Sequence, residues 1–120
     1  MDIETQMGEA LGRYLDLATS EIKLTAVNMA NIDTPGYKAV GLDFEAEMRQ
    51  ALDDAGKGHP ARAARVRVVD GLVSRPDGND VSMDRESLNL AEAQLKFKTG
   101  VALLRTENQK VMDAIHADSK

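Results

Sequence analysis

The chain has 120 residues, a formal net charge of −5, no cysteine or tryptophan, and only four aromatic residues, Tyr14, Tyr37, Phe44 and Phe97. The lack of thiols excludes disulfides, thiolate nucleophiles and cysteine-bound metal, and the fifteen bases, scattered among twenty acids apart from Arg62, Arg65 and Arg67, argue against nucleic-acid binding. With so few large side chains, the apolar content carried by Leu, Val, Ile, Met and Ala suits ridges along helices better than a thick globular interior, and a long, thin body is expected.

The first residues carry acids at Asp2, Glu4 and Glu9 and have neither a basic start nor an apolar run, so no cleaved secretory signal is expected. No window approaches the roughly 20 apolar residues that span a bilayer.

From Ile3 to Met29, Met7, Leu11, Leu15, Ala18, Ile22 and Met29 recur at helical intervals, flanked by a second row of Leu17 and Leu24. The spacing predicts a helix of roughly 40 Å at 1.5 Å per residue. Gly8 and Gly12 inside it each cost about 1 kcal/mol relative to Ala, so its first turns are expected to fray until neighbours hold them. The helix must stop before Pro35, because proline fixes its own φ and pushes Thr34 out of the helical region, while Gly36 can take the positive φ of a type II turn. Asp33, just before this turn, is expected to bond local backbone N–H groups.

The middle of the chain has another character. Phe44, Met48 and Leu52 predict a short helix from Asp43 to Leu52, and Asp53 to Pro60 reads as a loop. Val66, Val68 and Val69, then Asp70-Gly71, then Leu72 and Val73 predict a small β-hairpin, and Arg75 to Asp80 a second turn.

In the last third, Leu90, Gln94, Phe97, Val101, Leu104, Asn108, Val111 and Ile115 step by four and three, the spacing of a coiled-coil seam. Either the two amides of that row touch water, or they are buried and fix the packing register. A second row of Leu88, Ala91, Leu95 and Ala102 lies beside it. Ser82 or Asp84 can cap this helix, and Glu86 suits the positive end of its dipole. A helix from Asp84 to His116 is roughly 50 Å long. The fold class is thus mainly α, a coiled-coil-like hairpin of two long terminal helices around a small, partly irregular insert. Residues 1–38 form the first helix and its turn, 39–81 the insert, and 82–120 the second helix.

Chemistry is hard to place. His59 sits in a Gly/Pro loop and His116 near a helix C-terminus, where the dipole attracts it. Asp77-Gly78-Asn79-Asp80 lacks the alternating acids and distant glutamate of an EF-hand loop. No phosphate-binding glycine loop follows a strand, and Ser74, Ser82 and Ser87 lack the setting of a nucleophile elbow. No catalytic residue, cofactor or metal is assigned.

Asn28-Met29-Ala30-Asn31-Ile32-Asp33-Thr34-Pro35-Gly36-Tyr37-Lys38-Ala39 resembles the signature of the bacterial flagellar axial proteins of rod and hook. Gly78-Asn79-Asp80-Val81, Met83-Asp84-Arg85-Glu86 and the stretch from Leu90 to Phe97 are similar to the proximal-rod members of that group, as is the short insert. The likeness covers residues 8–50 and 78–112 and says little about 51–75. It implies a structural rod subunit, exported by the flagellar type III apparatus without signal cleavage, whose terminal helices pack into a helical tube that transmits torque across the periplasm. The implied partners are copies of itself, other rod proteins, the adaptor protein FliE, the MS ring and the export gate. From the same resemblance Asn31, Asp33, Thr34, Pro35, Gly36 and Tyr37 form a structural turn motif, and Asn79, Asp84, Arg85 and Glu86 a motif before the second helix. Leu11, Leu15, Ile22, Leu90, Phe97, Val101, Leu104, Val111 and Ile115 are assigned to helix packing from their spacing alone. A small helical adaptor or export chaperone is the competing reading, and it leaves the Thr-Pro-Gly-Tyr-Lys turn unexplained.

Overall fold

The computed structural model describes residues 2–118. Helix α1 runs Asp2–Ala30, strand β1 Val40–Gly41, helix α2 Phe44–Gly56, strand β2 Arg67–Val68 and helix α3 Met83–Asp118. The chain measures 70 × 28 × 17 Å with a radius of gyration of 18.4 Å, against about 14 Å for a compact domain of this length.

α1 and α3 lie antiparallel. Leu15 packs at Gly100, Glu21 meets Lys96 Nζ at 2.9 Å, and Asn28 meets Glu86 at 3.1 Å. The α3 residues buried along this seam, Glu86, Ala93 and Gly100, recur every seven positions. The buried positions thus include Ala93 and Gly100, one residue before the expected 94 and 101; Leu90, Val101 and Leu104 are half-buried along the seam, and Phe97 is left exposed. Gln94 and Asn108 stay exposed, so neither amide of that row is buried to fix the register. The cause is size: a Cβ on Gly100 would lie 2.7 Å from Leu15 Cδ2 and 3.0 Å from Tyr14 Cδ1, so a bare backbone lets the helices close where a larger side chain would hold them apart.

Few apolar side chains are buried: Leu11, Leu17, Ala18, Ala39, Val81 and Ala93 among the described residues. α2 is fastened to the hairpin by an edge-to-face contact of Tyr14 and Phe44, with ring centroids 5.1 Å apart, and by Lys96 Nζ, 4.1 Å from the Phe44 ring centre. Asp43 caps α2, its Oδ1 accepting from Ala46 N at 3.0 Å.

Two expectations for the insert are corrected. α2 continues four residues beyond Leu52, because Asp54 is buried and accepts hydrogen bonds from Gln50 and Arg62, which hold the last turn. The valines form no hairpin about Asp70-Gly71. Instead Val68 pairs with Val40 and Arg67 with Gly41, antiparallel, so the strand partner lies across α2 in sequence. Val69 N adds a bond to Ala39 O at 2.9 Å. Leu72 and Val73 lie outside any strand, Val73 almost wholly exposed.

Candidate functional site

The densest polar structure in the chain surrounds the turn that ends α1. Pro35 and Gly36 occupy the middle of a turn closed by Tyr37 N donating to Thr34 O at 3.2 Å, and Gly36 has φ +74°, the left-handed value that a type II turn demands of its third residue. Thr34 N and Thr34 Oγ1 both bond to Asn31, at its carbonyl and at Oδ1, each at 3.0 Å. Asp33, expected to bond local backbone N–H groups, is exposed and makes no hydrogen bond among the described residues; the Thr34 N–H goes to the main-chain carbonyl of Asn31 instead.

A second tight loop, Arg75 to Asn79, is pressed against this corner. Gly78 N donates to Arg75 O, and Arg75 N to Asn79 O, both at 2.8 Å, with Gly78 at φ +84°. The loops approach so closely that a Cβ on Gly78 would lie 3.4 Å from Gly36 Cα, and Gly36 N donates to Asp77 O at 2.9 Å. Lys38 Nζ bonds Gly78 O at 2.7 Å, and the Arg75 guanidinium reaches Ile32 O and Val81 O.

Asn79 is the keystone. It is fully buried, and its Nδ2 donates to the carbonyls of Asn31, Ile32 and Thr34 at 2.9, 3.0 and 2.9 Å, while its Oδ1 accepts from Val81 N at 2.8 Å. One side chain from the approach to α3 therefore serves three carbonyls of the turn that follows α1. Asp80 continues the join, Oδ1 accepting from Ala39 N at 2.7 Å.

One turn back along α1, Asn28 faces Val40 as a neighbouring strand would. Its Nδ2 donates to Val40 O at 2.8 Å and its Oδ1 accepts from Val40 N at 3.0 Å. The same amide donates to Glu86 Oε1 at 3.1 Å and accepts from Tyr37 Oη at 3.4 Å, so its whole hydrogen-bonding capacity is used. Glu86 is fully buried and also receives Arg85 Nη1 at 3.0 Å, while its Oε2 has no partner. Burial pushes the Tyr37 hydroxyl above its ordinary pKa, and the Glu86 charge adds to that.

The expected site residues thus separate into groups. Asn31, Thr34, Pro35, Gly36, Tyr37, Asn79, Arg85 and Glu86 meet in one joint linking the two helix ends. Asp84 lies exposed in the first turn of α3, where Ser82 Oγ accepts from Arg85 N at 3.3 Å and does the capping. Of the packing residues Leu11 is buried; Leu15, Ile22, Leu90, Val101, Leu104 and Val111 are half-buried; Phe97 and Ile115 are exposed. Asn28 was not singled out from sequence. Its signal was a polar residue interrupting an apolar row shortly before a helix stop.

The outer face of α3 is bare. Leu88, Ala91, Leu95 and Ala102 are exposed on the side turned away from α1, with Leu88 at 59% and Leu95 at 65% of full exposure. Among the described residues no three His, Cys, Asp or Glu residues gather as a metal site, and no helix is long and apolar enough to cross a membrane.

A long helical hairpin with a pinned corner and no gathered metal-binding cluster among the described residues has the build of a structural protein. No family model matches the chain. It is 33% identical over 119 residues to the flagellar basal body rod protein FlgB of Salmonella typhimurium, an alignment covering 84% of this chain and 86% of that protein. FlgB of Cereibacter sphaeroides is 32% identical over 114 residues, with 87% and 89% covered, and FlgB of Escherichia coli K12 28% over 121 residues, with 86% and 88%. The chain belongs to the FlgB family of flagellar basal body rod proteins.

Proposed function

We propose that this chain is a subunit of the proximal rod whose copies pack their terminal helices into a helical tube, and that torque crosses the periplasm through the interlocked helices. The observation that carries the reading is the uncovered row Leu88, Ala91, Leu95 and Ala102 on α3. A soluble chain seldom presents a long apolar ridge without a partner for it, and covering it is worth about 25 cal/mol per Å². The joint around Asn79 supports the mechanical part, because it ties the end of α1 to the start of α3 by side-chain and backbone bonds rather than by a flexible link. Export without signal cleavage, and contact with other rod proteins, FliE, the MS ring and the export gate, belong to the same proposal and rest on the family.

The test is Leu88→Ser combined with Leu95→Ser. Both side chains face solvent, so helicity and melting temperature should stay close to those of the parent, whereas self-association, and motility in a strain relying on this chain, should be lost. Unchanged assembly would refute the reading.

A further inference from the structure

The surface of α1 that faces away from α3 forms, with α2 and the following loop, a mostly apolar groove of about 740 Å³. Gly12 lies in its wall with open space around it, and Met48, Ala51 and Leu52 of α2 form the other side. Glu9 and Asp16 line the groove, exposed and without an ion-pair partner among the described residues. Arg13, between them, is turned across to Arg62 O and leaves both acids as the free charges.

On α3 the outer row Leu88, Ala91, Leu95, Ala102 continues through Lys98 and Arg105 at the same three-and-four spacing. Both bases are exposed and lack an ion-pair partner among the described residues. Glu9 and Asp16 are seven residues apart, as are Lys98 and Arg105, which is about 10.5 Å along a helix. The hairpin register that sets Leu15 at Gly100 and Glu21 at Lys96 puts Glu9 level with Arg105 and Asp16 level with Lys98, on opposite outer surfaces of one molecule. A second copy shifted sideways without axial displacement brings bases and acids together.

We infer that the α1–α2 groove receives the outer row of α3 from a second copy, Arg105 meeting Glu9 and Lys98 meeting Asp16, with Leu95 and Ala102 set against Gly12 and the α2 wall. The contact uses different surfaces on the two copies and therefore propagates instead of ending at a dimer. It rests on the reading that copies of this chain assemble, and it names the surfaces.

Two charge-reversed variants test it by sedimentation velocity at low salt, where such pairs are least screened. Glu9→Lys with Asp16→Lys, and Lys98→Glu with Arg105→Glu, should each weaken self-association at least about tenfold, since like charges then face each other. Mixing the two variants should restore assembly, because each groove again meets a ridge of opposite sign. In this cysteine-free chain, Asp16→Cys with Lys98→Cys should give an oxidised ladder of covalent multimers, as the two positions within one molecule face opposite ways. Parent-like assembly by each reversed variant, with no cross-linked ladder, would overturn this interface while leaving assembly itself intact. A parent chain that remains monomeric at every concentration would overturn the assembly reading and the interface with it.

Discussion

Asn79→Ala removes the amide that joins the two helix ends, and the structure allows its cost to be worked out. The side chain supplies two N–H donors shared among three carbonyls and one oxygen that accepts from Val81 N, all at a fully buried position. Three hydrogen bonds at about 1 kcal/mol each give about 3 kcal/mol. The carbonyls of Asn31, Ile32 and Thr34 regain water in part, so this value is not raised further. Against a total of about 6–18 kcal/mol for a chain this long, the loss is large. With an unfolding entropy of about 0.25 kcal/mol/K, it lowers the melting temperature by about 12 °C. Thermal unfolding followed by far-ultraviolet circular dichroism measures it directly. Asn79→Asp should do at least as much harm at neutral pH, because it keeps the acceptor for Val81 N but turns a charged oxygen toward three carbonyls. A midpoint for Asn79→Ala within about 2 °C of the parent would show that the joint does not hold the helix ends together.

Gly100→Leu should destabilise the hairpin by about 1–3 kcal/mol through overpacking, because the space is already taken by Leu15 and Tyr14; a denaturation midpoint at or above the parent's would contradict the close seam. Gly36→Ala and Gly78→Ala should each destabilise the chain by about 1–2 kcal/mol, because both glycines hold a left-handed φ that is costly for an L side chain; melting temperatures equal to the parent's would speak against the two turns. Burial favours protonation of Asp54, yet hydrogen bonds from Arg62 and Gln50, with the charges of Arg62 and His59, outweigh it and hold the carboxyl below its ordinary value of 3.8. Its folded pKa is depressed, so its contribution is complete above the ordinary value and is lost as pH falls through the lower one. The stability difference between the parent and Asp54→Asn should therefore shrink in acid, and a gap that stays constant down past that range would refute the assignment.

The long helices and their stop were legible because local rules decide them: apolar residues at helical intervals, a proline that cannot continue, a glycine that can turn. Interpretation failed where a distant residue made the choice. Val66 to Val73 has the pattern and the Asp-Gly turn of a hairpin, but Val40 lies alongside and takes Val68 as its partner, which no local window reveals. At the seam, hydrophobicity pointed to Val101, which is half-buried, whereas the closeness of the helices selects its neighbour Gly100 as the fully packed position. Asp53 and Asp54 looked like loop residues until the buried carboxylate of Asp54 was found bonded to Gln50 within the helix and to Arg62 beyond it. Within the joint, the turn could be read from its own residues. Asn79 was named only through the family resemblance, and neither its bonds to carbonyls 45 to 48 positions away nor those of Asn28, whose partners lie 9 to 58 positions away, could be read from local sequence.

The most direct trial of the central idea is a density map of the assembled basal body that resolves side chains in the rod. The face of α3 bearing Leu88, Ala91, Leu95 and Ala102 is then predicted to lie against a helix of an adjacent subunit, out of contact with water. If that face stands open to the lumen or the periplasm in every subunit, the uncovered ridge is not what builds the rod, and the account fails.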